Sequence, residues 1–248
     1  MGLLETPAFS LEHTFQSNQL LKWQKLWTLD GVKHQIVVGD KLCIANQYDR
    51  RCKTYTFVMG SDDDYFDIWF DVFDLKTDYT EVDRKFRRCM GPVASAQKMC
   101  KGLHRLAIPE FQVFLESFFL SNLPRARAAY WMEQLCAACC GAKRKNVPGY
   151  GTVYWTPVPT MQQFEDNIDS EDASWYLPEN LVKKVKRAYA EWLEKEDDFT
   201  MPEEDERFIM KNYNMDSKEF TEWFMDGEED YEYLKLLLRL GRKYGVVK

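Results

Sequence analysis

Up to about residue 60 the apolar positions come in short runs, and beyond it they recur every three or four residues. "HQIVVGDKLCIANQ" (34–47) and "CKTYTFVMG" (52–60) gather β-branched and aromatic residues between Gly, Asp and Asn, which predicts strands joined by turns. From "SDDDYFDIWFDVF" (61–73) the period becomes helical, with Ser61 and the acids after it as a helix start. Further helices are predicted over "DYTEVDRKFRRCM", "PVASAQKMCKGL" and "PEFQVFLESFFLS", the last opening on Pro109, and over "RARAAYWMEQLCAACC", which stops at Gly141. "NVPGYGTVYWTPVPT" (146–160) carries so much Gly and Pro that it reads as an extended loop.

Thr160 is placed to cap a short helix over "MQQFEDNI", and "PENLVKKVKRAYAEWLEK" is amphipathic, with Leu181, Val185, Ala188, Tyr189 and Trp192 on one face. "PEEDERFIMKNY", a turn at "NMD" and "SKEFTEWFMD" form a helical hairpin near 203–225, followed by a final helix in "EEDYEYLKLLLRLGRKYG". The predicted class is α+β, with a β-rich N-terminal domain over 1–75 and a helical domain over 76–248.

Composition narrows the function classes. The 248 residues are 45% hydrophobic and 15% aromatic, enough for a sizeable core, and no apolar run approaches the roughly 18 residues of a membrane span. Seven Cys, an odd number, point away from a secreted disulfide framework and toward a reducing compartment, cytoplasmic or nuclear. Cys136, Cys139 and Cys140 lack a second Cys pair at zinc spacing, and the three His all precede residue 105, so the cluster reads as small buried helix residues and no metal is expected. The net charge of −7 argues against nucleic-acid affinity through net charge alone. Basic residues nevertheless crowd into "RKFRR", "AKRK" and "LVKKVKRAY", which are either phosphate-binding faces or solvated helix faces.

One short stretch resists a purely structural account. "SNLPRAR" (121–127) places Asn122, Arg125 and Arg127 at a tight turn between two apolar helices. As an ordinary corner, Asn and Pro make the turn and the Arg side chains are solvated.

The order of segments then becomes informative. "FSLEHTFQSNQLLKW", the strands ending at "KTYTFVMG", "YFDIWFDVFDLKTDYTEVDRKF", "GLHRLAIPEFQVFLESFFLSNLPRARAAYWMEQLC" and "VYWTPVPTMQQF" together resemble the 8-oxoguanine DNA glycosylase-like proteins of the helix-hairpin-helix superfamily, over roughly residues 9–195. The resemblance implies a small antiparallel β-domain on a helical body, acting as a monomer on double-stranded DNA without a cofactor and without a membrane.

It also implies base flipping, because a base inside a duplex is out of reach of an enzyme. Asn122 then falls where the family's space-filling Asn lies, and Arg127 where an Arg meets the estranged base. Arg125 stands where the family has an apolar residue or Asn, and reads as a phosphate contact or a solvated side chain. Asn18 replaces the family's Gly beside the flipped base, next to Gln19, which points away from 8-oxoguanine and toward another damaged or modified base, in repair or in defence against phage DNA.

The family's hairpin, Leu-Pro-Gly-apolar-Gly-x-Lys, is degenerate here. Asn214 and Asp216 replace its two Gly, and Lys218 falls on the nucleophilic Lys. Asp230 matches the family's Asp, with Asp226 the alternative, and the chain is shortened after it relative to the family. Two readings stand at this stage: a DNA glycosylase using Lys218, Asp230 or both, with possible lyase chemistry through Lys218, and a non-catalytic DNA- or protein-binding module on the same fold. The dense acidic clusters make a DNA mimic a third.

Overall fold

The computed structural model describes residues 2–5, 9–17, 19–28, 31–50, 53–59, 65–87, 92–147, 150–194, 207 and 228–243. Its strands are β1 (Gly2–Glu5), β2 (Trp23–Thr28), β3 (Gly31–Val38), β4 (Lys41–Arg50), β5 (Lys53–Met59), β6 (Lys143–Val147) and β7 (Gly151–Trp155). Its helices are α1 (Leu11–Gln16), α2 (Tyr65–Val72), α3 (Tyr79–Arg87), α4 (Pro92–Met99), α5 (Glu110–Asn122), α6 (Arg125–Cys140), α7 (Met161–Asn167), α8 (Ala173–Tyr176), α9 (Glu179–Leu193) and α10 (Glu228–Lys243). The class is α+β.

The contacts sort into two units, each built from three stretches of chain. The first takes residues 1–5, 20–72 and 107–196, and the second takes 6–19, 73–106 and 197–248.

In the first unit an antiparallel sheet runs in the order β1-β5-β4-β3-β2. Ile36, Val37 and Val38 of β3 are all buried, so this strand is covered on both faces and needs a continuous apolar run rather than alternation. A two-residue turn joins β3 to β4. Gly39 sits there at φ +54°, a left-handed conformation that suits a tight hairpin and costs glycine little. Gly39 N donates to Gln112 Oε1 at 2.9 Å, and its carbonyl accepts from Val158 N at 2.8 Å, so the turn is fastened to α5 and to the loop before α7.

The core of this unit gathers Val37 and Ile44 from the sheet with Phe111, Phe114, Leu115 and Phe119 of α5, Met132 and Leu135 of α6, Phe164 of α7 and Val185 and Tyr189 of α9. The face predicted for α9 is the one that packs: Val185 and Tyr189 are buried, and Leu181, Ala188 and Trp192 lie against the core. Thr160 caps α7 in a reciprocal box with Gln163.

Part of the segment expected as a loop over 146–160 is strand instead. β6 and β7 form a hairpin that pairs Val147 with Gly151 and Lys143 with Trp155. Val147 and Val153 turn inward and are buried, while Arg144 and Tyr154, a cross-strand pair, are exposed. The period-two burial overrides the Gly and Pro punctuation.

In the second unit Ser10 caps α1, its hydroxyl accepting from His13 N at 3.2 Å. Tyr79 stacks on His104 with ring centroids 3.8 Å apart, donates its hydroxyl proton to Asp74 at 2.6 Å, and accepts from Arg105 N at 2.9 Å. α10 packs on α4, and its Tyr233, Leu234 and Leu237 are buried. The predicted helix start at Ser61 and the hairpin near 203–225 lie outside the described residues, apart from Arg207. No helix among the described residues is long and apolar enough to cross a membrane.

Candidate nucleic-acid interface

α5 must stop at Asn122, because Leu123 and Pro124 adopt extended backbone angles, and α6 begins directly afterwards. The result is a two-residue connection between antiparallel neighbours that pack on each other. Asn122 is the last residue of α5. Its side-chain amide donates to Phe118 O at 2.7 Å, and the residue is exposed. Arg127 lies in the first turn of α6, also exposed, with its backbone N–H on Pro124 O at 2.9 Å. Tyr130 follows at a spacing of three residues, on the same helix face, with its ring exposed. No side chain caps α6, so the electropositive end of this helix adds to the Arg side chains there.

Arg125 points the other way. It is half-buried, and its Nη2 donates to Leu20 O at 2.6 Å. Beside it lies Glu116 of α5, 3% exposed, whose Oε2 accepts from Leu21 N and whose Oε1 accepts from Gln112 Nε2 at 3.3 Å. Two consecutive backbone groups, Leu20 O and Leu21 N, are thus held by one charged side chain each, from α6 and from α5. Burial pushes the Glu116 carboxyl up to about 7, against the opposing pull of Leu21 N–H, Gln112, Arg125 and Lys22.

The sequence reading passed over Glu116. The signal was available: a single carboxylate in "FLESFF", within a run whose other members are almost all apolar. A second buried polar group was passed over as well. Lys22, whose side chain is 5% exposed, bonds to Glu133 of α6 and to Thr156 Oγ1 at 2.6 Å, and Thr156 bonds in turn to Glu133.

The remaining predicted positions lie in the second unit. Gln19 Nε2 donates to Ser17 Oγ and to His104 O, both at 2.8 Å, and its Oε1 accepts from Leu106 N at 2.7 Å, so its amide is committed to holding the chain beside residue 18. Ser17 O accepts from Arg239 Nη1 of α10 at 3.2 Å. Asp230 is the third residue of α10, so the helix that carries it also grips the chain next to the predicted base pocket. Asn18 and Lys218 lie outside the described residues.

The cysteine cluster packs as core. Cys136 and Cys139 are buried and Cys140 half-buried, and burial holds the Cys139 thiol up at about 12, where it stays protonated.

No protein-family model and no curated protein matches the sequence. Solved structures do match. The protein named MBOgg1, solved in complex with a low-affinity DNA ligand, superposes with a TM-score of 0.63 at 16% identity, over 98% of this chain and 96% of that one. The 8-oxoguanine glycosylase/lyase of Clostridium acetobutylicum, in complex with double-stranded DNA containing cytosine opposite 8-oxoguanine, gives 0.59 at 14% identity, over 99% of both chains. The 3-methyladenine DNA glycosylase of Archaeoglobus fulgidus gives 0.59 at 11% identity, over the whole of both chains.

The fold is that of the 8-oxoguanine DNA glycosylases. At these identities the likeness is one of fold, and it spans nearly the full length of each neighbour. The neighbours' names refer to two different bases, so sharing this fold does not fix the base.

Proposed function

We propose that the protein is a DNA glycosylase that turns an altered base out of a duplex and excises it, leaving an abasic site. The observation that carries this reading is the exposed Asn122–Arg127 corner on a chain with a DNA glycosylase fold. An everted base leaves a gap that a short amide can fill and an unpaired partner whose edge needs donors. Asn122 supplies the amide, and Arg127 the fork of N–H groups. Tyr130, on the Arg127 face, adds a ring against which a base or sugar can lie. Arg125 acts behind them, fixing the backbone at Leu20 and bracing the corner as well as adding positive charge near phosphate.

In this reading Asn18 touches the everted base, and Gln19 positions it from within its own hydrogen-bond network. Lys218, as a neutral amine, attacks the sugar C1′ and forms a carbon–nitrogen bond while the glycosidic bond breaks and the base leaves with a proton in place of the one the amine gives up. Water then hydrolyses the resulting Schiff base, which frees Lys218 and the abasic site. Asp230, in the first turn of α10, holds the positive charge that develops on the sugar. An Asn at position 18 adds a side chain where a Gly would leave room, and this favours a base other than 8-oxoguanine. The second reading, a DNA-binding module without the cut, rests on Asn214 and Asp216, since an Asp in the hairpin repels the phosphate that two glycines would admit.

Duplexes carrying a panel of damaged and enzymatically modified bases, scored for alkali-labile sites, test the proposal. Cleavage is expected on at least one of them, with single-turnover rates lower by about 10²-fold or more in Lys218→Ala or Asp230→Asn. Tight duplex binding with no cleavage of any substrate selects the second reading. Neither binding nor cleavage overturns both.

A further inference from the structure

The basic run "AKRK" falls on β6, so a solvated helix face does not account for it. Pairing with β7 gives the hairpin two unlike faces. One turns Val147 and Val153 into the core. The other carries two cross-strand pairs, Arg144 with Tyr154 and Asn146 with Thr152, and all four residues are exposed. Lys143, at the start of β6, is exposed as well.

The charge around this face is one-sided. Neither strand contains an acid, and between Ser117 and Phe164 the chain carries a single one, Glu133, which Lys22 neutralises. The same stretch holds Arg125, Arg127, Lys143, Arg144 and Lys145. On a chain of net charge −7 this is a concentrated positive excess. Lys143 and Arg144 have no acid within ion-pair distance among the described residues. An exposed cationic face without acids of its own is complementary to a polyanion from outside the chain.

The other side chains suit a nucleic-acid backbone. Arg, Lys, Asn and Thr are residue types that bond to phosphate oxygens. The Tyr154 ring, 65% exposed beside Arg144, offers a surface for a sugar. α6 leads from the Asn122 corner to the hairpin, since β6 begins just after Gly141 closes the helix. That helix is about 24 Å long. One duplex covers such a distance in roughly seven base pairs.

We propose that the outer face of the β6–β7 hairpin binds the sugar–phosphate backbone of duplex DNA, with Lys143 and Arg144 on phosphates and Tyr154 against a sugar. It is an anchor separate from the flipping corner. The inference rests on the DNA-binding half of the proposed function and not on excision.

An undamaged duplex of about two helical turns tests it, because no base need be cut. Fluorescence anisotropy across a range of salt should show that Lys143→Ala/Arg144→Ala loses about two units of slope and about tenfold or more in affinity. Its melting temperature should match that of the wild type, since both side chains are exposed and unpaired. Irradiation of Tyr154→p-benzoylphenylalanine should crosslink the protein to the duplex. The same replacement at Trp175, an exposed aromatic on α8, should not. Wild-type binding with an unchanged slope in the double variant overturns this anchor alone, as does crosslinking at 154 no stronger than at 175. Crosslinking that polyglutamate suppresses as well as unlabelled duplex also overturns it, because the face then takes any polyanion. A wild type that binds no duplex overturns it together with the proposed function.

Discussion

Glu116 shows what a single residue contributes that no neighbour can replace. Its carboxyl titrates near 7 instead of 4.5 because burial disfavours the charged form more than Leu21 N–H, Gln112, Arg125 and Lys22 favour it. The folded value is the raised one, so the folded state binds this proton more tightly than the unfolded chain does. Stability from this group is fully present below about 4.5 and is lost as pH rises through about 7. Glu116→Gln removes that loss. Relative to the variant, the wild type should therefore lose up to about 3 kcal/mol between pH 4.5 and 8, measured by urea unfolding of both proteins. A constant difference across that range would mean that the carboxyl titrates normally. Asn122 presents the opposite case. It is exposed and bonds only within its own helix turn, so Asn122→Ala should change stability by less than about 0.5 kcal/mol while weakening binding to a duplex with an everted base. An equal loss on a fully paired duplex would remove Asn122 from the flipping role.

Among the elements, the β3–β4 hairpin is the one whose construction can be taken apart by mutation. Gly39 has nothing within 4 Å of where a Cβ would stand, so Gly39→Ala carries only the left-handed backbone cost, about 1 kcal/mol. Gln112→Leu should cost more, about 2–4 kcal/mol, because it strips a partner from Gly39 N, Val37 O and Glu116 at once. Thermal denaturation of the two variants checks the ranking, and a reversed order would show that the turn geometry matters more than its attachment. This hairpin was legible in the sequence because "IVVGDKLCI" joins two apolar runs through a turn dipeptide. The amphipathic face of α9 and the cap at Thr160 were legible for the same reason, as their signals lie within a few residues. The β6–β7 hairpin was not. Its strand "KRKNV" is polar on all but one residue, and its inward Val147 and Val153 become a pattern only when the two strands are paired. Lys22, Glu133 and Thr156 carry no such local signal, since their partners in this network lie 23 to 134 positions away in the chain.

At the scale of the whole molecule, the two units each draw on three separate stretches, and no local signal announces that interleaving. What the sequence did carry was the order of motifs, which pointed to the fold shared with the solved glycosylases even though identity to them is only 11–16%. Charge is the other property that only the whole chain shows. A protein of net charge −7 can hold DNA only through a local cationic surface, and the basic run on α9 is a poor candidate for it. On α9, Lys183 pairs with Glu179 at 2.5 Å, Lys186 pairs with Asp169, and Arg187 lies 3.6 Å from Glu191. Three of the four cations of this run are thus matched by an acid that DNA would have to displace or tolerate. Arg127, at the uncapped start of α6, has no such acid opposite it among the described residues. Duplex affinity measured across a range of salt should therefore lose about one unit of slope in Arg127→Ala, one phosphate-sized contact, and keep both its slope and its value in the double variant Lys183→Ala/Arg187→Ala. If the double variant flattens the slope and Arg127→Ala does not, the DNA lies along α9, and the corner at Asn122 is not the part of the molecule that meets it.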